Sequence, residues 1–66
     1  MQIILNGEAM TVSPDLTLSA LLQQLTLDPL GVAVAVNLHV VPRSQHGALP
    51  LKPGDRVDVI RAVGGG

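Results

Sequence analysis

The segment DRVDVIRAVGGG, residues 55–66, begins as a strand and ends in consecutive glycines. Over residues 56–59 valines alternate with charged residues, which is the pattern of a half-buried strand. Glycine lacks a Cβ atom, so a glycine arm can lie extended in a narrow channel where a side chain would clash. We therefore expect a flexible arm, residues 63–66, on a rigid strand, with the carboxylate of Gly66 as its working group.

Working outward from this strand, the N-terminal half of the chain predicts a hairpin and one helix. Asn6-Gly7 favours a type I′ turn between strands at residues 2–5 and 8–12, because both central positions of that turn need positive φ. Leucines at helical spacing over residues 18–25 then form one apolar stripe. Thr17 is the predicted N-cap, and Pro29 disfavours helical geometry just before it, so the helix should end by Leu27.

The C-terminal half predicts further strands joined by turns. Residues 32–36 predict an apolar strand, residues 37–39 a tight turn, and Val40-Val41 a short edge strand. Residues 43–50 predict a loop with one helical turn. The fold class is therefore α+β, a mixed sheet with one packed helix, in which the first and last strands lie parallel at the centre. The predicted core consists of Ile3, Leu5, Met10, Val12, Leu18, Leu21, Leu22, Leu25, Val34, Val36, Leu51, Val57 and Val59.

Composition limits the classes of function. The 66 residues are 47% hydrophobic and 14% charged, with a net charge of −1 and neither cysteine nor aromatic residues. Nucleic-acid binding is poorly supported, since it needs clustered basic or stacking side chains. Without cysteine there are no disulfides or thiolate nucleophiles. No signal peptide or membrane-spanning run is apparent, so we expect one soluble, cytoplasmic domain over residues 1–66.

The sequence offers no pattern typical of an enzyme. The serines lack a G-x-S-x-G context, no metal-ligand spacing is present, and His39 and His46 are expected at the surface or in turns. The remaining reactive group is the terminal carboxylate of Gly66, which is ionised at neutral pH and must be activated before it accepts a nucleophile. Activation, for example as an acyl-adenylate made from ATP, would be the work of a partner enzyme.

Several segments together resemble the thiamine-biosynthesis sulfur carrier family, ThiS, over essentially the whole chain. They are Met1-Gln2-Ile3, Asn6-Gly7, Val36-Asn37, Val41-Pro42-Arg43, Gly54-Asp55-Arg56-Val57 and Val63-Gly64-Gly65-Gly66. The resemblance implies a ubiquitin-like β-grasp fold and a protein that is a co-substrate rather than an enzyme. It implies that Gly66 is adenylated by a ThiF-type, E1-like enzyme with ATP and magnesium. It also implies that Gly64 and Gly65 thread the tail into that enzyme.

The later steps implied by the family concern sulfur. A protein persulfide converts the adenylate to a thiocarboxylate, which donates its sulfur to a ThiG-type thiazole synthase. Two alternatives stay open at this point: the small subunit of molybdopterin synthase, which shares the fold and the Gly-Gly end, and a ubiquitin-like interaction module that is not a carrier. The lack of aromatic residues departs from many relatives of the ThiS family.

Strand parity predicts a partner-docking surface. Ile3 and Leu5 point to the core, so Ile4 points away from the helix, and Ile60 does the same in the last strand. We expect the partner to dock on this face, centred on Ile4 and Ile60, with Ala33, Ala35 and Ala62 as small neighbours. Arg61 is counted among the docking residues.

Overall fold

The computed structural model describes residues 1–61, and the predictions made for residues 62–66 lie outside the described residues. Along the chain come β1 (Gln2–Leu5), β2 (Glu8–Thr11), helix α1 (Leu18–Gln24), a 3-10 helix (Pro29–Gly31), β3 (Val32–Val36), β4 (His39–Val40), a second 3-10 helix (Arg43–Ala48) and β5 (Arg56–Arg61). The strands form one sheet in the order β2-β1-β5-β3-β4. The last strand therefore occupies the centre of the sheet.

The pairing of the strands confirms the predicted mixed sheet. β1 runs antiparallel to β2 and parallel to β5, with Leu5 opposite Val57. β3 runs antiparallel to β5 and to β4. At the opening hairpin, Asn6 and Gly7 have φ of 49° and 86°, as the type I′ interpretation requires. The first and last strands are neighbours because the helix and the other three strands are accommodated in the connection between them.

Helix α1 begins at its predicted N-cap, Thr17, and ends before Leu27, the latest end that was predicted. The Thr17 hydroxyl accepts a hydrogen bond from the Ala20 amide at 3.2 Å, which satisfies one free donor of the first turn. The helix ends at Gln24, and Thr26 has a left-handed φ of 55° that carries the chain out of helical geometry. Leu25 and Leu27 still pack against the core from beyond the helix.

The core lies between α1 and one face of the sheet. The predicted core residues are either buried or packed against the buried cluster. The helical and strand periodicities used to predict them are those of the helix and strands that form. The buried cluster consists of Ile3, Val12, Leu18, Leu21, Leu22, Val34, Val36, Leu51 and Val57. The face of the sheet turned away from α1 is called the outer face below.

Two local predictions were wrong. The edge strand β4 comprises His39 and Val40 rather than Val40 and Val41, because the turn before it is tighter, with Asn37 and Leu38 both at positive φ. His46 was expected at the surface or in a turn and is instead buried, at 4% exposed, in the second 3-10 helix. Its Nε2 lies 3.1 Å from the Val41 carbonyl oxygen, and the second 3-10 helix, which packs beside α1, carries it inward.

Candidate functional site

The outer face places the predicted docking residues on two separate parts of the sheet. Ile4 and Ile60 share this face, as parity predicted, because Ile4 lies opposite Arg56 and residues 56, 58 and 60 of β5 point the same way. Ile60 is, however, four residues beyond Arg56, or roughly 13 Å further along the strand. Ile4 is half-buried, whereas Ile60 is 66% exposed. The register therefore does not bring the two isoleucines together in one continuous surface.

A charged pair lies between them on β5. The Arg56 Nε donates to the Asp58 Oδ2 at 3.1 Å, and both side chains stand on the outer face. An exposed pair of this kind adds little to stability. It does divide the outer face into a part around Ile4 and a part around Ile60.

The part around Ile60 is an apolar strip bordered by Asp58, which lies opposite Ala35. Ala33 of β3 lies opposite Ile60, and Ala35 of the same strand lies opposite Val40 of β4. Val40 is 78% exposed. We call Ile60, Ala33, Ala35 and Val40 the apolar strip. The alanines leave the flanking larger side chains standing above the sheet, so the strip presents apolar surface next to the end of β5.

Arg61 stands on the opposite side of the sheet from the predicted docking face. Arg61 has the parity of Val57 and Val59, so its side chain belongs to the face that carries the core, at an end of the sheet where it is exposed. Ala62, like Gly64, Gly65 and Gly66, lies outside the described residues. Sequence parity contained the correct assignment for Arg61, since it differs by one position from Ile60.

Two asparagine side chains that sequence analysis treated only as turn formers bind β5. Asn6 Oδ1 accepts from the Val59 amide at 2.8 Å, and Asn37 Oδ1 accepts from the Arg56 amide at 3.0 Å. Asn37 Nδ2 in turn donates to the Asp55 Oδ1 at 3.1 Å. The sequence offered one signal for these bonds. Each asparagine occupies a turn, and the strand before that turn is a neighbour of β5.

Asp55 ties the turn before β5 to this arrangement. Its Oδ2 accepts from the Lys52 amide at 2.8 Å, while its other oxygen accepts from Asn37. Gly54, at φ of 83°, donates its amide to the Gln2 carbonyl at 2.7 Å. The Gly54-Asp55 segment thereby fixes where β5 enters the sheet.

Residues 1–61 contain no sign of a metal or small-molecule centre. Among them no group of three or more His, Asp or Glu side chains is placed to hold a metal ion, and no pocket is formed. No helix in this part of the chain has the length and apolar character needed to cross a membrane. The surface features that remain are the apolar strip and the end of β5.

A mixed five-stranded sheet with one helix packed on a single face, and with the C-terminal strand at its centre, defines a ubiquitin-like β-grasp domain. Comparison with solved structures agrees. A crystal structure of the thiamine biosynthesis protein ThiS from Geobacter metallireducens superposes with a TM-score of 0.87 at 32% identity, covering 100% of both chains. A solution structure of a thiamine biosynthesis protein from the same organism gives a TM-score of 0.80.

The chain belongs to the ThiS family, whose pattern it matches over residues 3–66. The sulfur carrier protein ThiS of Escherichia coli is 35% identical over 66 residues, which is 100% of both proteins. Proteins named thiazole synthase from Paramagnetospirillum magneticum and Magnetococcus marinus are 36% and 41% identical over the same 66 residues. This chain spans about one fifth of the length of those two relatives, since the match covers 20% of each.

Proposed function

We propose that this chain is a sulfur carrier of thiamine biosynthesis and that Gly66 carries the sulfur as a thiocarboxylate. The single observation that supports this most is membership of the ThiS family over residues 3–66, a range that includes the glycine end. The family assignment also favours the thiazole pathway over the small subunit of molybdopterin synthase. A carrier needs no catalytic group of its own, because the partner enzyme performs the activation.

The proposed chemistry begins at the Gly66 carboxylate. An oxygen of this carboxylate attacks the α-phosphorus of ATP, pyrophosphate leaves, and an acyl-adenylate forms in a ThiF-type enzyme that holds ATP and magnesium. The terminal sulfur of a protein persulfide then attacks the acyl carbon and AMP leaves, which gives an acyl disulfide. A second thiol reduces this disulfide, is itself oxidised into the new disulfide, and releases the thiocarboxylate. The small glycines 64 and 65 allow the arm to enter a narrow active site.

The acceptor we propose is a ThiG-type thiazole synthase. The support comes from the two relatives named thiazole synthase, in which a segment similar to this whole chain forms part of a longer protein. Covalent linkage of a carrier to the enzyme that uses it would raise the effective concentration of one for the other. When the two are separate chains, a docking surface has to supply that proximity.

We propose the apolar strip as the docking surface for the adenylating enzyme. Ile60 lies in the strand that leads directly into residues 62–66, so a partner seated on the strip would have the arm beside it. Exposed apolar side chains grouped at one place are typical of interaction sites. The Arg56–Asp58 pair limits the strip on the side of Ile4, and half-buried Ile4 would contribute less than Ile60.

The test of this function is the intact mass of the chain after incubation with ATP, magnesium, a ThiF-type enzyme and a persulfide donor. A carrier gains the mass difference between one oxygen and one sulfur, and the gain requires ATP. Transfer to a thiazole synthase should then restore the original mass. A chain whose mass is unchanged by its cognate activating enzyme would be an interaction module and not a carrier.

A further inference from the structure

The two asparagines that bind β5 share a geometry that reaches beyond turn formation. Asn6 and Asn37 have left-handed φ values of 49° and 51°, at the ends of β1 and β3. Both strands are neighbours of β5, and at each asparagine the chain turns away from β5. Asparagine and glycine both tolerate this conformation. What asparagine adds at these two positions is a side chain that binds β5.

At Asn6 the side chain takes the place of a main-chain carbonyl. The Asn6 amide donates to the Val57 carbonyl at 2.9 Å, and its Oδ1 accepts from the Val59 amide at 2.8 Å. In a parallel ladder, a strand residue at this point would offer its own amide and its own carbonyl to those two groups. Because the main chain turns toward Gly7, the side-chain oxygen supplies the acceptor. The ladder on this side of β5 is thereby extended past the end of β1.

Asn37 does the same on the opposite edge of β5. Its amide donates to the Arg56 carbonyl at 2.7 Å, and its Oδ1 accepts from the Arg56 amide at 3.0 Å. These are the two bonds of an antiparallel hydrogen-bonded pair, with a side-chain oxygen in the place of one carbonyl. The two asparagines thus bind β5 in the same way at different points: Asn37 where the strand begins, and Asn6 toward its end.

The location of Asn6 matters because β5 has unequal neighbours. Pairing of β1 with β5 ends at Leu5 and Val57, whereas pairing of β3 with β5 continues to Arg61. Among residues 1–61, the contact of Asn6 with Val59 is the hydrogen bond that continues the β1 side beyond Val57. A strand bonded on one side can twist away from the sheet more easily than one bonded on both.

We propose that Asn6 is a positioning residue that fixes the direction in which β5 leaves the sheet toward residues 62–66. This inference rests on the proposed function, in which a partner enzyme receives that segment. With Asn6 in place, β5 ends in one direction, so less freedom is lost when the partner binds the segment that follows it in the sequence. Without the side-chain oxygen, the end of β5 is less restricted, and productive binding of the carrier weakens.

The test compares Asn6→Gly with a matched variant, Asn37→Gly. Both keep the permitted left-handed backbone, and both remove one side-chain acceptor from a β5 amide. Asn37→Gly also removes the donor to Asp55 and is thus the more disruptive change to side-chain bonding. In Asn6→Gly the Val59 amide should exchange with solvent about tenfold faster, the effect of one lost hydrogen bond. The KM for the carrier in adenylation should rise severalfold with kcat little changed. Asn37→Gly should expose the Arg56 amide and leave that KM near the wild-type value. Asn6→Asp, which keeps an oxygen acceptor, should restore the wild-type KM for the carrier.

The assay is run at a temperature where circular dichroism shows every variant folded, so a general loss of stability does not enter the KM. Equal KM values for Asn6→Gly and Asn37→Gly, with the wild type adenylated, would overturn the positioning role alone. A wild-type chain that is not adenylated would overturn the proposed function, and this inference with it. Fast Val59 exchange already in the wild type would contradict the hydrogen bond on which the inference depends.

Discussion

Replacing Leu21 with alanine tests the part of the structure on which everything else rests. Leu21 lies in the middle of α1 and is 0% exposed, within a cluster made of side chains from the helix and the sheet. Alanine keeps the helical propensity, so the change removes packing and leaves the backbone preference intact. The cavity left between α1 and the sheet can collapse only as far as the central strands allow.

The expected loss is roughly 2–5 kcal/mol, the range for a buried leucine truncated to alanine. A domain of this size has a free energy of unfolding of about 3–10 kcal/mol on a per-residue basis. The substitution therefore removes a large part of the total stability. A loss near 3 kcal/mol would lower the midpoint of thermal unfolding by roughly 20 °C.

Urea unfolding followed by circular dichroism measures this loss directly. Gln23→Ala is the matched control, because Gln23 is an exposed neighbour in the same helix. Its effect should stay within about 0.5 kcal/mol. A Leu21→Ala loss below about 1 kcal/mol, with an unchanged slope against urea, would refute the packing of α1 on the sheet.

Three further predictions concern the surface, the arm and the buried histidine. Ile60→Asp should impair adenylation at sub-saturating carrier without unfolding the chain, and Gln24→Asp on the helix should leave the rate of adenylation unchanged. Wild-type rates of adenylation for both folded variants would exclude the apolar strip as the docking surface. Deleting residues 65–66 should abolish sulfur transfer and leave cooperative melting intact, and a loss of cooperativity would show that the deleted glycines are structural. His46→Ala should destabilise by roughly 1–3 kcal/mol in urea because it removes a buried hydrogen bond, whereas exposed His39→Ala should not.

Much of the fold was predictable because its strongest signals are local. Asn6-Gly7 specified a turn, the leucine stripe specified one face of one helix, and alternation specified which side of β5 enters the core. These patterns have the period of the element that they form. With one helix and one hairpin, few topologies satisfy the burial of all these faces, so the central parallel pair followed.

The rest depends on register and on side-chain bonds between distant residues. Parity placed Ile4 and Ile60 on one face, but no local pattern gave the offset that aligns Ile4 with Arg56. His46 is buried because the second 3-10 helix packs beside α1, which is a tertiary effect. The bond from Val59 to Asn6 joins residues at opposite ends of the chain. Each is set by how complete elements meet.

The position of β5 separates what the chain needs for folding from what we propose it needs for sulfur transfer. The first part of β5, around Val57, is paired on both sides and contributes a fully buried side chain to the core. The last part, from Val59 to Arg61, continues beside β3, is held on the other side through Asn6, and carries exposed Ile60. Substitutions toward the start of this strand should therefore appear first as lost stability. Substitutions toward its end should appear first in the kinetics of the partner enzyme, because that end contributes less to the core and leads directly into the arm.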